Sequence, residues 1–401
     1  MITLGDVEEA RDRLVGVIRD TPAAPSVALS RLVERPVVVK PEHLQRTGSF
    51  KIRGAYNRIV TLVEGKSVDE FVAASAGNHA QGVALASSLC GVPSTIFMPA
   101  GASLPKVEAT RSYGATVQFA GETVDDAIEA ARAYAEERLA YFVPPFDDPL
   151  VIAGQGTVGL EIAREVPDAE VVLVPVGGGG LISGAAAALR ARRPSIRIVG
   201  VEASGAAPML AALDDRAPVV LDSVDTLADG IAVRCVSALT LEHVAALVDQ
   251  IVTVDDEEIS RAVLTLLERC KAVVEPAGAV GLAALMAGKV AGKGTAVVLL
   301  SGGNVDPLLL TRLIEHGLSA AGRYFMIRVV LSDRPGSLGS LTSAIGKLGL
   351  NLVTVDHRRF GAPIGVNEVE VFLTVETRGP HHRDEIVPSL RELGFRAEAW
   401  G

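Results

Sequence analysis

Cysteine is scarce in this chain of 401 residues: Cys90, Cys235 and Cys270 are the only three. An odd count with no metal-ligand spacing excludes a disulfide framework and a thiolate metal centre, and fits reduced thiols in a cytoplasmic protein. Aromatic residues make up 4% of the chain, no basic run occurs and the formal net charge is −10. That balance excludes nucleic-acid binding as the main task. No run of about 18 uncharged apolar residues is present, which excludes a spanning helix. The segment Met1 to Arg19 carries acids and an amphipathic repeat at Val7, Ala10, Leu14, Val17 and Ile18, with Thr3 as its expected cap. It does not have the pattern of a signal peptide.

What is present is an apolar fraction of 49%, ample for sizeable cores, on a chain long enough for two or three domains. From Val37 to Leu318 short apolar runs alternate with helical patterns, which predicts an α/β architecture of parallel sheets covered by helices.

Several of these runs end in chemically suggestive turns. Val171 to Val176 leads into Gly177, Gly178, Gly179 and Gly180 and then into a helical stretch from Leu181. Four glycines let successive backbone N–H groups face one point ahead of a helix N-terminus, which suits a phosphate dianion, although a bare tight turn reads the same way. The spacing is neither the dinucleotide nor the nucleoside-triphosphate pattern. Phe71 to Ala74 runs into Ser75, Ala76, Gly77, Asn78 and His79, and Ala296 to Leu300 runs into Ser301, Gly302, Gly303 and Asn304. Ligands of parallel sheets bind at such strand ends. Lys51 follows Phe50 and opens a helix-like run; a buried lysine beside a ring suits Schiff-base formation with an aldehyde cofactor.

Ser49-Phe50-Lys51-Ile52-Arg53-Gly54-Ala55, Ser75 to Gly82, Pro145-Phe146-Asp147-Asp148-Pro149 with Ala153 to Thr157, and the tetraglycine loop occur in the order of a known family. Over about residues 1 to 320 the chain resembles the pyridoxal-phosphate threonine dehydratases (threonine ammonia-lyases) of fold type II, the tryptophan synthase β-like group. The resemblance implies two parallel-sheet lobes, the smaller one of about residues 50 to 150 inserted in the larger, in a catalytic domain of residues 1–321. It implies pyridoxal 5'-phosphate on Lys51, with Phe50 against its ring and Asn78 on its phenolic oxygen. Gly177 to Gly180 and Leu181 would hold the phosphate, Gly230 would approach through its backbone and Ser301 would face the pyridine nitrogen. Ser75, Ala76, Gly77, Asn78 and His79 would clamp the substrate carboxylate; His79 also reads as a cap of the following helix.

The implied reaction has Lys51 as general base at Cα, loss of the β-hydroxyl and release of ammonia, giving 2-oxobutanoate from threonine or pyruvate from serine. A neutral Ser301 opposite the ring nitrogen favours elimination over transamination. Serine racemases of this fold resemble Ser-Ser-Gly-Asn-His where this chain has Ala76, which cannot donate a proton, so racemisation is not expected; Phe146 fits the dehydratase pattern too. Glu202 matches one ligand of the cation site of some relatives, but Pro208 stands near the second, so no divalent metal is expected there, which leaves a monovalent ion or water.

The last part alternates differently. Tyr324 to Leu331, Asn351 to Arg359, Asn367 to Glu376 and Ala397 to Trp400 read as strands, and Leu338 to Leu348 and His382 to Leu393 as helices, in the order βαββαβ. Asp333-Arg334-Pro335-Gly336-Ser337-Leu338 resembles the turn of ACT regulatory domains, so residues 324–401 are expected to form an ACT-like, ferredoxin-like α+β domain, joined at Gly322 to Tyr324. The resemblance implies Asp333, Pro335, Gly336 and Leu338 as a site for an amino-acid effector such as isoleucine or valine, and a homo-oligomer, dimer or tetramer. A module for oligomerisation or folding without a ligand is the alternative reading.

Overall fold

In the computed structural model, residues 1–320, 322–359 and 365–400 are described. Ala321 and Gly401, which bound the two expected domains, lie outside them. Two compact units divide the chain, Met1–Pro307 and Leu308–Gly401.

The first unit contains two sheets. One has the strand order Ala24–Pro25, Val37–Lys40, Thr295–Leu299, Ala169–Pro175, Arg197–Ala203 and Gln250–Val254, parallel throughout except at its first pair. The other, Thr116–Phe119, Ser94–Met98, Phe71–Ala74 and Tyr141–Phe142, is wholly parallel. All strands of the second sheet lie, in sequence, between Lys40 and Ala169 of the first. Phe71–Ala74 and Thr295–Leu299 are buried along their whole length, because helices cover both faces. Each of the three strands singled out above carries its polar turn at its carboxyl end, so strand polarity brings those turns to the edges from which ligands are approached.

The helix Lys51–Gly65 is anchored by charge rather than by apolar packing alone. Arg53, fully buried, donates to both oxygens of Glu42 (2.7 and 2.8 Å), to both oxygens of Glu161 (2.6 and 2.9 Å) and to Thr157 (3.0 Å). Lys40, also fully buried, pairs with Glu161 and Glu165 at 2.7 and 3.0 Å. Both guanidinium edges are thus bidentate, the geometry that offsets desolvation best. The N-terminal helix runs Leu4–Leu14 with Thr3 and Asp6 in a reciprocal capping box. It ends before the amphipathic repeat does, because Val15 leaves the helical conformation (ψ 125°) and Gly16 takes φ +75°.

The second unit has an antiparallel sheet ordered Leu352–Arg358, Glu368–Glu376, Tyr324–Ser332 and Arg396–Ala399, with helices Ser337–Lys347 and Pro380–Glu392 between its strands in the βαββαβ order. Its core joins Ile327, Val329, Val371 and Leu373 to Leu341, Ile345 and Leu390. The helix Pro307–Ala320 precedes this sheet, whose first strand begins at Tyr324.

Candidate active site

A cavity of about 1010 Å³ in the first unit is lined by Lys51, the Ser75–His79 loop, the tetraglycine loop, Gly230 and Ser301. Every expected site residue of this unit borders it. Backbone bonds lock the lysine turn to the turn that follows Thr295–Leu299: Phe50 N–H donates to Ser301 O at 3.1 Å, and Gly303 N–H donates to Gly48 O at 2.9 Å. Lys51 sits at the first position of its helix with Nζ 5.3 Å from the Phe50 ring centre and donating to Pro145 O at 3.0 Å. Burial pushes its pKa down to about 8, against a smaller upward pull from Glu275. The free amine that attack on an aldehyde needs is therefore accessible near neutral pH.

The glycine loop fits a phosphate for reasons of geometry. Gly179 takes φ +91°, a left-handed conformation that turns the chain into the helix Gly180–Arg192. A Cβ on Gly178 would lie 2.2 Å from the Phe146 ring, so the ring and the loop are packed as close as glycine allows. Among the described residues, no protein acceptor takes the backbone N–H of Gly177, Gly178, Gly179, Gly180 or Leu181. Five unpaired donors at a helix N-terminus form an anion cradle.

The Ser75–His79 loop opens the helix Asn78–Leu89, with Gly77 at the cap position. Ser75 Oγ accepts from Gly77 N–H at 3.1 Å, while the N–H groups of Ala76, Asn78 and His79 have no protein acceptor among the described residues. That arrangement can bind a carboxylate without a cationic side chain. His79 is inside the first turn rather than at the cap. It is buried and donates Nε2–H to Val143 O at 2.9 Å; burial and the positive charge of Lys51 push its pKa down to about 3, so it stays neutral.

Ser301 is buried at the end of the Thr295–Leu299 strand, and Gly230 lies in the turn Asp229–Ile231. Two ion pairs cross the cavity lining, Lys106 with Asp229 and Arg234 with Asp125, the latter at 3.7 Å. Glu202, the expected cation ligand, has both oxygens engaged by backbone N–H groups of Met209 (2.8 Å) and Leu210 (2.9 Å), and burial pushes its pKa up to about 7. It caps the helix Pro208–Asp215.

Sequence reasoning missed Glu275. It is buried, borders the cavity and accepts from Asn78 Nδ2 at 2.6 Å; burial pushes its pKa up to about 7 and Asp229 adds to the rise. The signal was available: Glu275 is the one charged residue between Ala272 and Leu285.

In the second unit, a cavity of about 390 Å³ is lined by Asp333, Pro335, Gly336, Leu338, His357 and Arg359, among others. Gly336 takes φ +91° at the cap of the helix Ser337–Lys347, and Arg359 pairs with Asp333 at 3.0 Å.

Residues 14–302 match the profile of a family described as pyridoxal-phosphate dependent enzyme. The chain belongs to this family. Its cofactor is therefore pyridoxal phosphate, and the residues present fit it: an amine on a rigid helix, an anion cradle, and an uncharged hydroxyl at Ser301. Residues 325–395 match the ACT domain. Over 402 residues the chain is 45% identical to a protein named L-threonine ammonia-lyase from Thermotoga maritima, with 100% of both chains covered. A protein of the same name from Geobacter sulfurreducens is 45% identical over 97% of each chain. Among solved structures, a threonine deaminase from T.th. superposes with a TM-score of 0.72 at 39% identity, covering 76% of this chain and 99% of that one. Maize serine racemase gives a TM-score of 0.74 at 34% identity, over 79% and 98%. No helix among the described residues is long and apolar enough to cross a membrane.

Proposed function

We propose that this enzyme eliminates water from L-threonine and then, by water attack on the resulting imine, releases ammonia to give 2-oxobutanoate, and converts L-serine to pyruvate in the same way. The observation that carries the reading is Lys51: a buried amine with its pKa lowered to about 8, in one cavity with an anion cradle and a second set of free N–H groups. Pyridoxal phosphate, when bound, supplies the electron sink for negative charge developing at Cα. The chain's own groups do the rest. Gly177 to Leu181 would hold the phosphate, Phe50 would flank the ring, Asn78 would donate to the phenolic oxygen, Gly230 would approach through its backbone and Ser301 would face the ring nitrogen. The loop Ser75, Ala76, Gly77, Asn78 and His79 would orient the substrate carboxylate, and Lys51 Nζ would take the Cα proton and, as an ammonium, give a proton to the departing β-hydroxyl. Neutral His79 adds no competing charge, and an uncharged Ser301 would leave the ring nitrogen of the bound cofactor largely unprotonated, which favours elimination over transamination.

Ala76 separates this reading from that of the similar serine racemase. It borders the cavity and carries no proton to deliver to the opposite face of Cα. The residues 324–401 read as a regulatory domain in which Asp333, Pro335, Gly336 and Leu338 take a branched-chain amino acid across paired copies of a homo-oligomer in the cytoplasm. A ligand that favours one arrangement of copies then changes activity by linkage.

The test is 2-oxo acid formation by the cofactor-loaded protein from L-threonine and L-serine in parallel, with Lys51→Ala as control. Turnover that vanishes in the variant supports the reading. No turnover of either substrate, with cofactor bound, sinks it.

A further inference from the structure

Asn78 presents an amide whose orientation is set entirely by protein neighbours. Asn304 Nδ2 donates one N–H to Thr47 O and the other to Asn78 Oδ1, each at 2.7 Å. Both acceptors are carbonyl oxygens, so the Asn304 amide cannot flip without opposing oxygen to oxygen. Asn78 Oδ1 thereby faces Asn304, and its Nδ2 faces Glu275 Oε1 at 2.6 Å. Flipping Asn78 would set its oxygen against the Glu275 carboxyl and its N–H groups against those of Asn304. One Nδ2 hydrogen is committed to Glu275, leaving a single N–H for a ligand in the cavity.

The backbone that carries this carboxyl is itself held. Glu275 N–H donates to Gly302 O at 3.1 Å, and Glu275 O accepts from Gly278 and Ala279 at the start of the helix Pro276–Met286. Gly302 also explains why a long acid fits here, since a Cβ at that position would lie 2.2 Å from Glu275 Oε1 and 3.1 Å from Asn78 Nδ2. At the other end of the chain of bonds, Thr47 offers its carbonyl from a left-handed conformation (φ 62°) that a β-branched residue rarely adopts. Local strain is thus tolerated at the position that anchors the network.

We propose that Glu275 is a positioning residue: acting through Asn78, and together with Asn304, it aims the one free N–H of the Asn78 amide at the phenolic oxygen of the bound cofactor. This rests on the reading of Asn78 given above. The charged groups that bear on Glu275 are Asp229 from its turn, Lys106 from the helix Leu104–Ser112 and Lys51 from its own helix. Glu275 accepts from Asn78 in either protonation state, through a carboxylate oxygen or a carbonyl oxygen.

The test is titration of the cofactor-free protein with pyridoxal phosphate, read by cofactor absorbance, for Asn78→Ala, Glu275→Ala, Glu275→Gln and the double variant Asn78→Ala/Glu275→Ala. Asn78→Ala and Glu275→Ala are expected to weaken cofactor binding about tenfold each, and the double variant no more than the weaker single one, because both remove the same contact. Glu275→Gln, which keeps an acceptor for Asn78, restores binding to within about threefold of the parent. Losses that multiply in the double variant would overturn the proposal, as would full binding by Glu275→Ala while Asn78→Ala is impaired. Unchanged binding by Asn78→Ala would sink the underlying reading of Asn78 as well. If Glu275→Ala does not fold, Asn304→Ala replaces it in the same cycle, with the same non-additivity expected and multiplied losses again overturning it.

Discussion

The free amine of Lys51 can be counted in the cofactor-free protein. An ordinary lysine, with a pKa of 10.5, is about 0.3% unprotonated at pH 8, whereas a pKa of about 8 makes half of it free, a gain above 100-fold. Burial is the larger cause and Glu275 opposes it. The assay is pulsed acetylation from about pH 6 to about pH 11, with the Lys51 peptide quantified by mass spectrometry against one carrying exposed Lys293. The labelling midpoint of Lys51 is expected near 8, and Glu275→Gln should move it lower, since the opposing charge is gone. The same shift has a thermodynamic sign. Between about pH 8 and 10.5 the unfolded state binds more protons than the folded one, so stability rises with pH across that window, by up to about 3 kcal/mol. A midpoint at 10 or above would refute the claim that the cavity desolvates this amine.

Arg53→Met should cost about 3–5 kcal/mol, because it leaves Glu42 buried and uncompensated beside the lysine helix; a thermal midpoint within a degree or two of the parent would contradict this. Gly178→Ala forces its Cβ against Phe146, with an expected loss of about 1–3 kcal/mol and weaker cofactor binding; Phe146→Ala in the same chain should recover part of it, and denaturant unfolding of both variants checks this. Chiral chromatography should find negligible D-serine formed from L-serine; racemisation comparable to elimination would remove the role given to Ala76. Calorimetry with isoleucine and valine should show binding that Asp333→Ala abolishes, and heat from neither amino acid would rule out that effector class.

The sequence by itself determined the α/β character of the first unit, the βαββαβ order of the second and the place of the turns that line the main cavity. Those features are local: strand ends, glycine runs and caps are written in consecutive residues, as in Thr3 with Asp6 or Val174 to Gly180. Lys51, Asn78, Ser301 and the tetraglycine loop, which border one cavity, stood out in the sequence because each lies within a short motif. Tertiary structure alone decided what those residues touch. Glu275 meets Asn78 across 197 positions of sequence, and Arg53 meets Glu161 across 108. The single acid in an apolar run hinted at a burial that needs a partner, but not at which partner. His79 shows the same division: its motif placed it beside the ligand loop, while the packing of its helix under Val143 made it a buried neutral donor rather than a cap. Burial and long-range pairing set the pKa values of Lys51, His79 and Glu275, because desolvation depends on everything that surrounds a group in space and not on its neighbours in the chain.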